Sequence, residues 1–193
     1  FPPINVSFRP DLTGTEDELE DFYGSLGEIY KDNVDIIMCE SMSSIFEGSN
    51  ASRLAKEFSE RVWLSWTNRG HQPDQLPSTE ALSKAVDFSI EADVECTLIN
   101  CSHADMASNS IKELKRASRF GIFANSSTFK EVDLSIATKD VDAIHHLNSE
   151  KISAKEYAMI ALSWVKEGAF VVGGCCGTTV EHTREIKLLM DSL

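Results

Sequence analysis

The sequence predicts an α/β domain built on a mainly parallel sheet, and two observations support this fold class. Short apolar runs, rich in β-branched and aromatic residues, alternate with longer segments whose apolar residues recur at helical spacing. Polar residues and glycines follow several of these runs directly. The alternation indicates βαβ units, in which the carboxyl ends of parallel strands meet at one edge of the sheet. An open doubly wound sheet and a (β/α) barrel both satisfy the pattern at this point.

Six apolar runs are the predicted strands, because their length and composition are typical of strands that are buried on both faces. They cover residues 4–8, 34–39, 62–66, 96–100, 121–124 and 169–172. Candidate site residues stand at or just beyond the ends of four runs: Glu40, Asn100 with Cys101, Asn125, and the segment 173–176. In either architecture this placement predicts a single site at one face of the sheet.

Helices are predicted between the strands. The first, over residues 15–30, opens with Thr15 and Glu18 at the spacing of a capping box. Further helices are predicted over residues 50–60, 78–91, 108–118, 153–166 and 180–190. No linker or low-complexity tract divides the chain, so one domain over residues 1–193 is expected.

Composition and charge narrow the functional classes. The chain has 193 residues, of which 42% are hydrophobic and 25% charged, and its formal net charge is −13. An acidic chain repels the phosphates of nucleic acids, which argues against a nucleic-acid partner. No apolar run approaches the roughly 20 residues that span a bilayer, and the first residues do not resemble a signal peptide. We therefore expect a cytoplasmic protein without a membrane partner.

The chain has five cysteines, which are Cys39, Cys96, Cys101, Cys175 and Cys176. An odd number in a chain without a secretion signal argues against a disulfide framework. Cys39 and Cys96 lie inside apolar runs and are interpreted as small buried side chains. The other three stand at predicted strand ends, where clustered thiols favour a metal site.

The segment Gly173-Gly174-Cys175-Cys176 predicts a turn that brings two thiols to one metal ion. Adjacent side chains of a strand point to opposite faces, so the backbone must leave strand geometry, which the glycines permit. With Cys101 as the third ligand, zinc keeps one open position, as catalytic zinc sites do. A thiol substrate bound there would be held as a thiolate and would attack an activated methyl group. Buried small side chains and a cysteine nucleophile remain alternative interpretations.

Several motifs resemble those of one family. Residues 171–179, followed by Glu181 and His182, resemble the C-terminal zinc motif of the homocysteine S-methyltransferase family. Residues 99–101 resemble its upstream Asn-Cys motif, and residues 35–41 its acidic strand end. Residues 124–126 resemble the asparagine motif of its next-to-last strand. The motifs follow the family's order along the whole chain, and the double cysteine is the most specific of them.

The resemblance implies a (β/α)8 barrel of the TIM-barrel type, with zinc at the carboxyl ends of the strands. The six predicted strands correspond to the third through eighth of that barrel. The expected domain over residues 1–193 is therefore an N-terminally incomplete barrel, either a fragment or a natural truncation. A partial barrel has open edges, and a homo-oligomer is one way to cover them. Two departures from the family pattern are Phe123-Ala124 in place of Tyr-Pro and Ser127 near a usual glycine.

The resemblance also implies methyl transfer to homocysteine, giving methionine. The implied ligands of Zn2+ are Cys101, Cys175 and Cys176. Glu40 would pair with the substrate ammonium group and, with Asn100, is a candidate catalytic residue. Asn125 and Thr178 are candidate substrate-binding residues. The alternatives are a solvated carboxylate for Glu40, turn-forming asparagines, and a helix cap for Thr178.

The favoured methyl donor is a sulfonium compound, S-methylmethionine or S-adenosylmethionine, with betaine second. An aromatic wall for a cationic donor would come from Trp63, Trp66 or Phe129, although barrel packing is favoured for the tryptophans. His182 is expected at the surface, and His103 is a less favoured candidate to support the ligands. His71, His145 and His146 are expected to be exposed. The rival function is a non-catalytic zinc-binding protein that acts in assembly or regulation.

Overall fold

A parallel sheet forms the centre of the protein. The computed structural model describes residues 1–70, 72–128 and 150–192. Within them one sheet has five parallel strands in the order β1-β2-β3-β4-β7. Its strands are β1 (Ile37–Met42), β2 (Val62–Trp66), β3 (Cys96–His103), β4 (Phe120–Asn125) and β7 (Val171–Gly174). The two-residue strands β5 (Ser127–Thr128) and β6 (Glu150–Lys151) form a separate antiparallel pair.

Helices precede or follow each strand of the main sheet. They are α1 (Glu16–Tyr30), α2 (Ile45–Phe58), α3 (Leu82–Glu91), α4 (Ala104–Asn109), α5 (Ile111–Leu114), α6 (Ala154–Lys166) and α7 (Val180–Met190). A short 3₁₀ turn covers Pro10–Leu12. Over the described residues, none of the helices has the length and apolar character required to cross a membrane.

The strands of the main sheet are added in chain order and always on the same side. Because crossovers between parallel strands are right-handed, a sheet that grows in one direction carries its helices on one face. A doubly wound sheet reverses its order instead. The strand order of the described residues is therefore consistent with a partial barrel, and of the two predicted architectures the doubly wound sheet is wrong. Within the described residues β1 and β7 remain the edges of the sheet, which is not a closed barrel.

The apolar core lies between the sheet and the helices. On β2, for example, Trp66 is fully buried, donates its indole N–H to the Ser89 hydroxyl of α3 (2.9 Å), and meets the Phe88 ring edge-on. Trp63, which points to the other face of the sheet, is only partly buried. In a partial barrel this second face would be the interior.

The first predicted strand, over residues 4–8, is wrong. Phe8 has a left-handed backbone (φ 68°), and the Arg9 amide closes a turn on the Val6 carbonyl oxygen. The residue beside β1 is Phe1 instead. Its amino group donates to the Met38 carbonyl at 2.6 Å, and its carbonyl accepts from the Glu40 amide at 3.0 Å. The run 4–8 is therefore neither paired nor buried, since Val6 is 45% exposed.

The structure confirms the predicted helices α1, α6 and α7, with the first two opening on capping boxes headed by Thr15 and Ser153. The helix predicted from residue 78 begins only at Leu82. The residues before it form a turn instead, in which Thr79 has a left-handed backbone (φ 72°) and Gln75 pairs with Ala81. The Glu80 carboxylate accepts the Ile45 amide at 2.8 Å and so helps to cap α2.

Two other helices have different limits from those predicted. The segment predicted over residues 50–60 already begins at Ile45, because the Ser44 hydroxyl accepts the Glu47 amide. The segment predicted over residues 108–118 is two short helices, α4 and α5, which meet at Ser110.

Candidate metal centre

The three thiols predicted as ligands lie together. Cys101 Sγ is 3.1 Å from Cys175 Sγ and 3.5 Å from Cys176 Sγ, and all three sulfur atoms lie within 4.8 Å of one another. Zinc–sulfur bonds of about 2.3 Å in a tetrahedron place sulfurs about 3.8 Å apart. A small outward movement of the thiols would therefore accommodate a zinc ion, with its fourth position free. The residues present fit the metal that the motifs imply.

Cys101 reaches the cluster because β3 is irregular at this point. Its backbone is left-handed (φ 55°), and the pairing of β3 with β4 shifts register between Asn100 and His103. A left-handed non-glycine residue is strained, and such strain persists only where surrounding contacts enforce it. The enforcing contacts begin at the preceding residue, Asn100.

Asn100 ties three strands together beneath the cluster. Its Oδ1 accepts the Ser41 amide at 2.8 Å and the Ser65 hydroxyl at 2.6 Å, and its Nδ2 donates to Ser41 Oγ at 2.7 Å. All three residues are buried. Asn100 thus fixes the bulge of β1, the end of β2 and the turn into Cys101. These bonds support a positioning role beside the catalytic role predicted for Asn100.

The Cys175-Cys176 turn is held against the end of β4. Strand β7 covers Val171–Gly174, so it lies two residues further along the chain than the predicted run 169–172, and both glycines belong to the strand instead of the turn. The Cys175 amide then donates to the Ala124 carbonyl at 2.8 Å, and the Cys176 amide to Asn125 Oδ1 at 3.1 Å. The predicted site residue Asn125 therefore orients a ligand backbone, and its other predicted role, in substrate binding, stays a prediction.

Thr178 closes the turn on its other side. Its hydroxyl donates to the Cys175 carbonyl at 2.7 Å, whereas Thr179 is the N-cap of α7. A Cβ built on Gly174 would lie 2.5 Å from the Thr178 side chain, so only glycine fits there. Gly177 supplies the left-handed residue of the turn (φ 77°).

The three thiols shift one another's pKa. Hydrogen bonding with the Cys101 thiol, and to a smaller extent with the Cys175 thiol, lowers the pKa of Cys176 to about 3. The same bonds raise the pKa of Cys101, because its proton is held first by Cys175 and then by Cys176, with burial adding to the effect. A thiol with a lowered pKa among three clustered sulfurs favours a bound cation at this position.

Cys39 and Cys96 are buried and stand apart from the cluster. Burial raises the pKa of each thiol to about 12. This confirms their interpretation as small buried side chains. It also makes them natural controls for the three clustered cysteines.

Glu40 stands at the same edge of the sheet as the cluster, two strands away. Its side chain is exposed, and its backbone lies in the irregular part of β1 just before Ser41. Neighbouring strands are about 4.8 Å apart, so β1 and β3 are separated by about 10 Å. A long carboxylate side chain and a short amino acid can bridge that gap. The predicted contact of Glu40 with a substrate ammonium group is compatible with this spacing and stays a prediction.

The histidine predictions have different outcomes. His182 is 9% exposed, so its predicted surface position is wrong. The helix turns this side chain inward, where its ring meets Tyr157 edge-on and its Nδ1 accepts the Thr179 amide at 3.1 Å. His103 is buried and its Nδ1 lies 2.8 Å from Ser127 Oγ. His71, His145 and His146 lie outside the described residues.

The tryptophans do not form a wall beside the thiols. Trp66 packs among the helices, as described above, which confirms the packing interpretation for it. Trp63 donates its indole N–H to Glu95 at 3.2 Å and is paired with Cys96, at the amino-terminal start of β3. It therefore lies at the end of the sheet opposite to the cluster. Phe129 is outside the described residues.

Two contributors to the site were missed by sequence reasoning. Ser65 is a polar residue inside the run 62–66, which was the only local signal of its role. Tyr157 of α6 sends its hydroxyl to the carbonyl oxygens of Ala124 and Gly173, at 2.8 and 2.7 Å. No sequence signal links this helical tyrosine to the strand ends.

Comparison with known proteins agrees with the geometry of the site. A family model described as homocysteine S-methyltransferase matches residues 2–190. The chain belongs to the homocysteine S-methyltransferase family. Homocysteine S-methyltransferase YbgG of Bacillus subtilis (strain 168) is 26% identical to it over 190 residues, which is 96% of this chain and 56% of that protein. The chain thus spans about half the length of this curated relative.

Solved structures support the fold of this family member. The metallated form of the homocysteine methyltransferase MmuM from Escherichia coli superposes with a TM-score of 0.70 at 20% identity, covering 94% of this chain and 55% of that one. The apo form of MmuM gives a TM-score of 0.69 at 17% identity, covering 97% and 61%. At these identities the likeness concerns the fold, which is α/β with a parallel sheet.

Proposed function

We propose that this chain catalyses a zinc-dependent methyl transfer to homocysteine, giving methionine. The proposed methyl donor is a sulfonium compound, S-methylmethionine or S-adenosylmethionine. One observation carries the proposal: in a member of the homocysteine S-methyltransferase family, three cysteine sulfurs lie within 4.8 Å of one another at the carboxyl edge of the sheet. A metallated form of MmuM is known, which supports a metal at such a site.

Different residues would bind the metal ion and hold its ligands in place. Cys101, Cys175 and Cys176 would hold Zn2+, which when bound supplies a Lewis acid that lowers the pKa of a thiol in its open position. Asn100 and Asn125 keep the ligand backbones in place through the hydrogen bonds described above. Their rigidity reduces the rearrangement that binding requires.

The substrate's amino acid group needs partners as well. Glu40 offers an exposed carboxylate for the ammonium group. The first turn of α7, which directly follows the cysteine turn, offers free backbone amides for the carboxylate. Both groups stand at the edge of the sheet where the thiols lie, so they can orient the substrate sulfur toward the donor.

The transfer itself is a displacement at carbon. The homocysteine sulfur donates an electron pair to the methyl carbon and forms a new S–C bond. The bond between that carbon and the donor sulfonium breaks, and its electrons return to the donor sulfur, which leaves as a neutral thioether. The negative charge of three thiolates keeps the attacking sulfur electron-rich. No external oxidant, reductant or base is required once the thiol has lost its proton.

The experiment is an assay of methionine formation by the zinc-loaded chain with homocysteine and each donor in turn. We expect activity with a sulfonium donor, abolished in Cys176→Ala and retained in the matched control Cys39→Ala, whose thiol is buried away from the cluster. Glu40→Gln should raise KM for homocysteine more than it lowers kcat, because it removes a binding contact.

Each result decides between named functions. Activity with betaine alone would show that the methyl donor is an ammonium compound and not the proposed sulfonium compound. Zinc binding without methionine from any donor would favour the non-catalytic protein that acts in assembly or regulation. Full activity in Cys176→Ala would refute the proposed site.

A further inference from the structure

Tyr157 of α6 joins the two strand ends that carry the site. The residue is fully buried, and its hydroxyl shares one proton between the Ala124 carbonyl on β4 (2.8 Å) and the Gly173 carbonyl on β7 (2.7 Å). The Ala124 carbonyl also accepts the amide of Cys175 at 2.8 Å. A single carbonyl oxygen therefore connects Tyr157 to the backbone of a candidate metal ligand.

The ring of Tyr157 is held from two sides. Trp164 meets it edge-on with ring centroids 5.8 Å apart, and the Trp164 indole N–H is fixed by the Ser108 hydroxyl at 2.7 Å. His182 meets it edge-on from α7 at 5.6 Å. Because His182 also accepts the Thr179 amide at 3.1 Å, the same histidine fixes the first turn of α7 directly after the cysteine turn.

This arrangement matters because β7 is an edge strand of the described sheet and pairs only with β4. The position of Cys175 relative to Cys101 depends on how β7 is held along β4. Tyr157 is the side chain that bonds to both strands at the point where they end. A metal ion tolerates errors of only a few tenths of an ångström in ligand position. A bond that fixes the ends of β4 and β7 can therefore change how well the cysteines fit a metal ion.

We propose that Tyr157 is a positioning residue for the metal centre: its shared hydroxyl proton sets the spacing at which Cys175 meets Cys101, and His182 holds the Tyr157 ring and the start of α7 in place. This role presupposes the metal site of the proposed function. Both residues act through the backbone of the turn and not as ligands.

The test compares zinc affinity in Tyr157→Phe and in the unchanged chain, by competition with a chromogenic chelator. Loss of a group that orients metal ligands typically weakens binding 10- to 100-fold, and we expect about tenfold here. The visible spectrum of the Co2+-loaded variant should also change, because the thiolate geometry changes. The matched control is Tyr23→Phe, since Tyr23 is equally buried and its hydroxyl has no hydrogen-bond partner among the described residues.

A purely structural role would give a different result. Ser89→Ala removes the buried bond to Trp66 on the helix side of β2, so it should lower the unfolding temperature without changing zinc affinity. If Tyr157→Phe behaves like Ser89→Ala, with lower stability and unchanged affinity and Co2+ spectrum, the positioning role is overturned.

A second variant keeps the proposal testable if Tyr157→Phe does not fold. His182→Gln keeps an acceptor for the Thr179 amide and removes the ring that supports Tyr157. It should weaken zinc binding in the same direction by less than tenfold, because the Tyr157 hydroxyl remains. If Tyr157→Phe does not fold, unchanged zinc affinity in His182→Gln overturns the proposal. A chain that binds no zinc before any substitution refutes the proposed function, whereas tight binding that is unchanged in both variants refutes only the positioning role.

Discussion

Replacing Asn100 by alanine should destabilise the chain far more than the loss of an ordinary polar side chain. The change removes three buried hydrogen bonds, to the Ser41 amide, the Ser41 hydroxyl and the Ser65 hydroxyl, with donor–acceptor distances of 2.8, 2.7 and 2.6 Å. At about 1 kcal/mol net per bond, the free energy of unfolding should fall by about 3 kcal/mol. That is a large fraction of the 5–15 kcal/mol typical of a domain.

Urea denaturation of the metal-free chain measures this effect, with the free energy of unfolding extrapolated linearly to water. An unchanged slope against urea concentration would show that the variant exposes the same surface on unfolding. Ser65→Ala is the matched control. It removes only the 2.6 Å bond and should lower the free energy of unfolding by about 1 kcal/mol. In the double variant, Ser65→Ala should add almost nothing to Asn100→Ala, because both remove the same bond. An Asn100→Ala loss no larger than that of Ser65→Ala would refute the role given to Asn100.

Three further outcomes are expected. Gly174→Ala should weaken zinc binding by about tenfold or more, measured by chelator competition, since the new Cβ would lie 2.5 Å from Thr178; unchanged binding would show that the turn adapts. Zinc uptake at pH 7 should release about two protons, detected with a pH indicator, because a pKa lowered to about 3 predicts that Cys176, of the three thiols, is ionised before zinc binds; release of three would contradict the lowered pKa of Cys176. Burial raises the pKa of Glu47 above its usual 4.5, so the folded chain retains a proton that the unfolded chain loses. Stability should therefore fall as the pH rises above 4.5, and urea titrations should show a smaller fall in Glu47→Gln.

The parts of the fold and site that follow from local sequence could be predicted. A turn that holds Cys175 and Cys176 follows from two preceding glycines and a strand-like run, although the structure starts it after Gly174 and keeps both glycines in the strand. The capping box at Thr15 likewise depends on residues three positions apart. The presence of Cys101 in the same cluster followed from the rule that parallel strands end at one edge.

The remaining features depend on contacts that the sequence does not display. Ser41 and Asn100 are 59 residues apart, and their mutual hydrogen bonds become visible only when β1 and β3 are in register. His182 was expected at the surface because it stands in the first turn of a helix, but Tyr157, from a different helix, covers it. The run 4–8 was expected to be a strand because hydropathy carries no information about a pairing partner.

In the proposed function, three cysteine thiolates hold one zinc ion and leave a position for the sulfur of homocysteine. X-ray absorption at the zinc edge of the loaded chain counts these sulfur ligands. We predict three sulfur ligands at about 2.3 Å without substrate, and four after homocysteine is added. A zinc ion with four sulfur ligands before addition, or with an unchanged sulfur count afterwards, would contradict the claim.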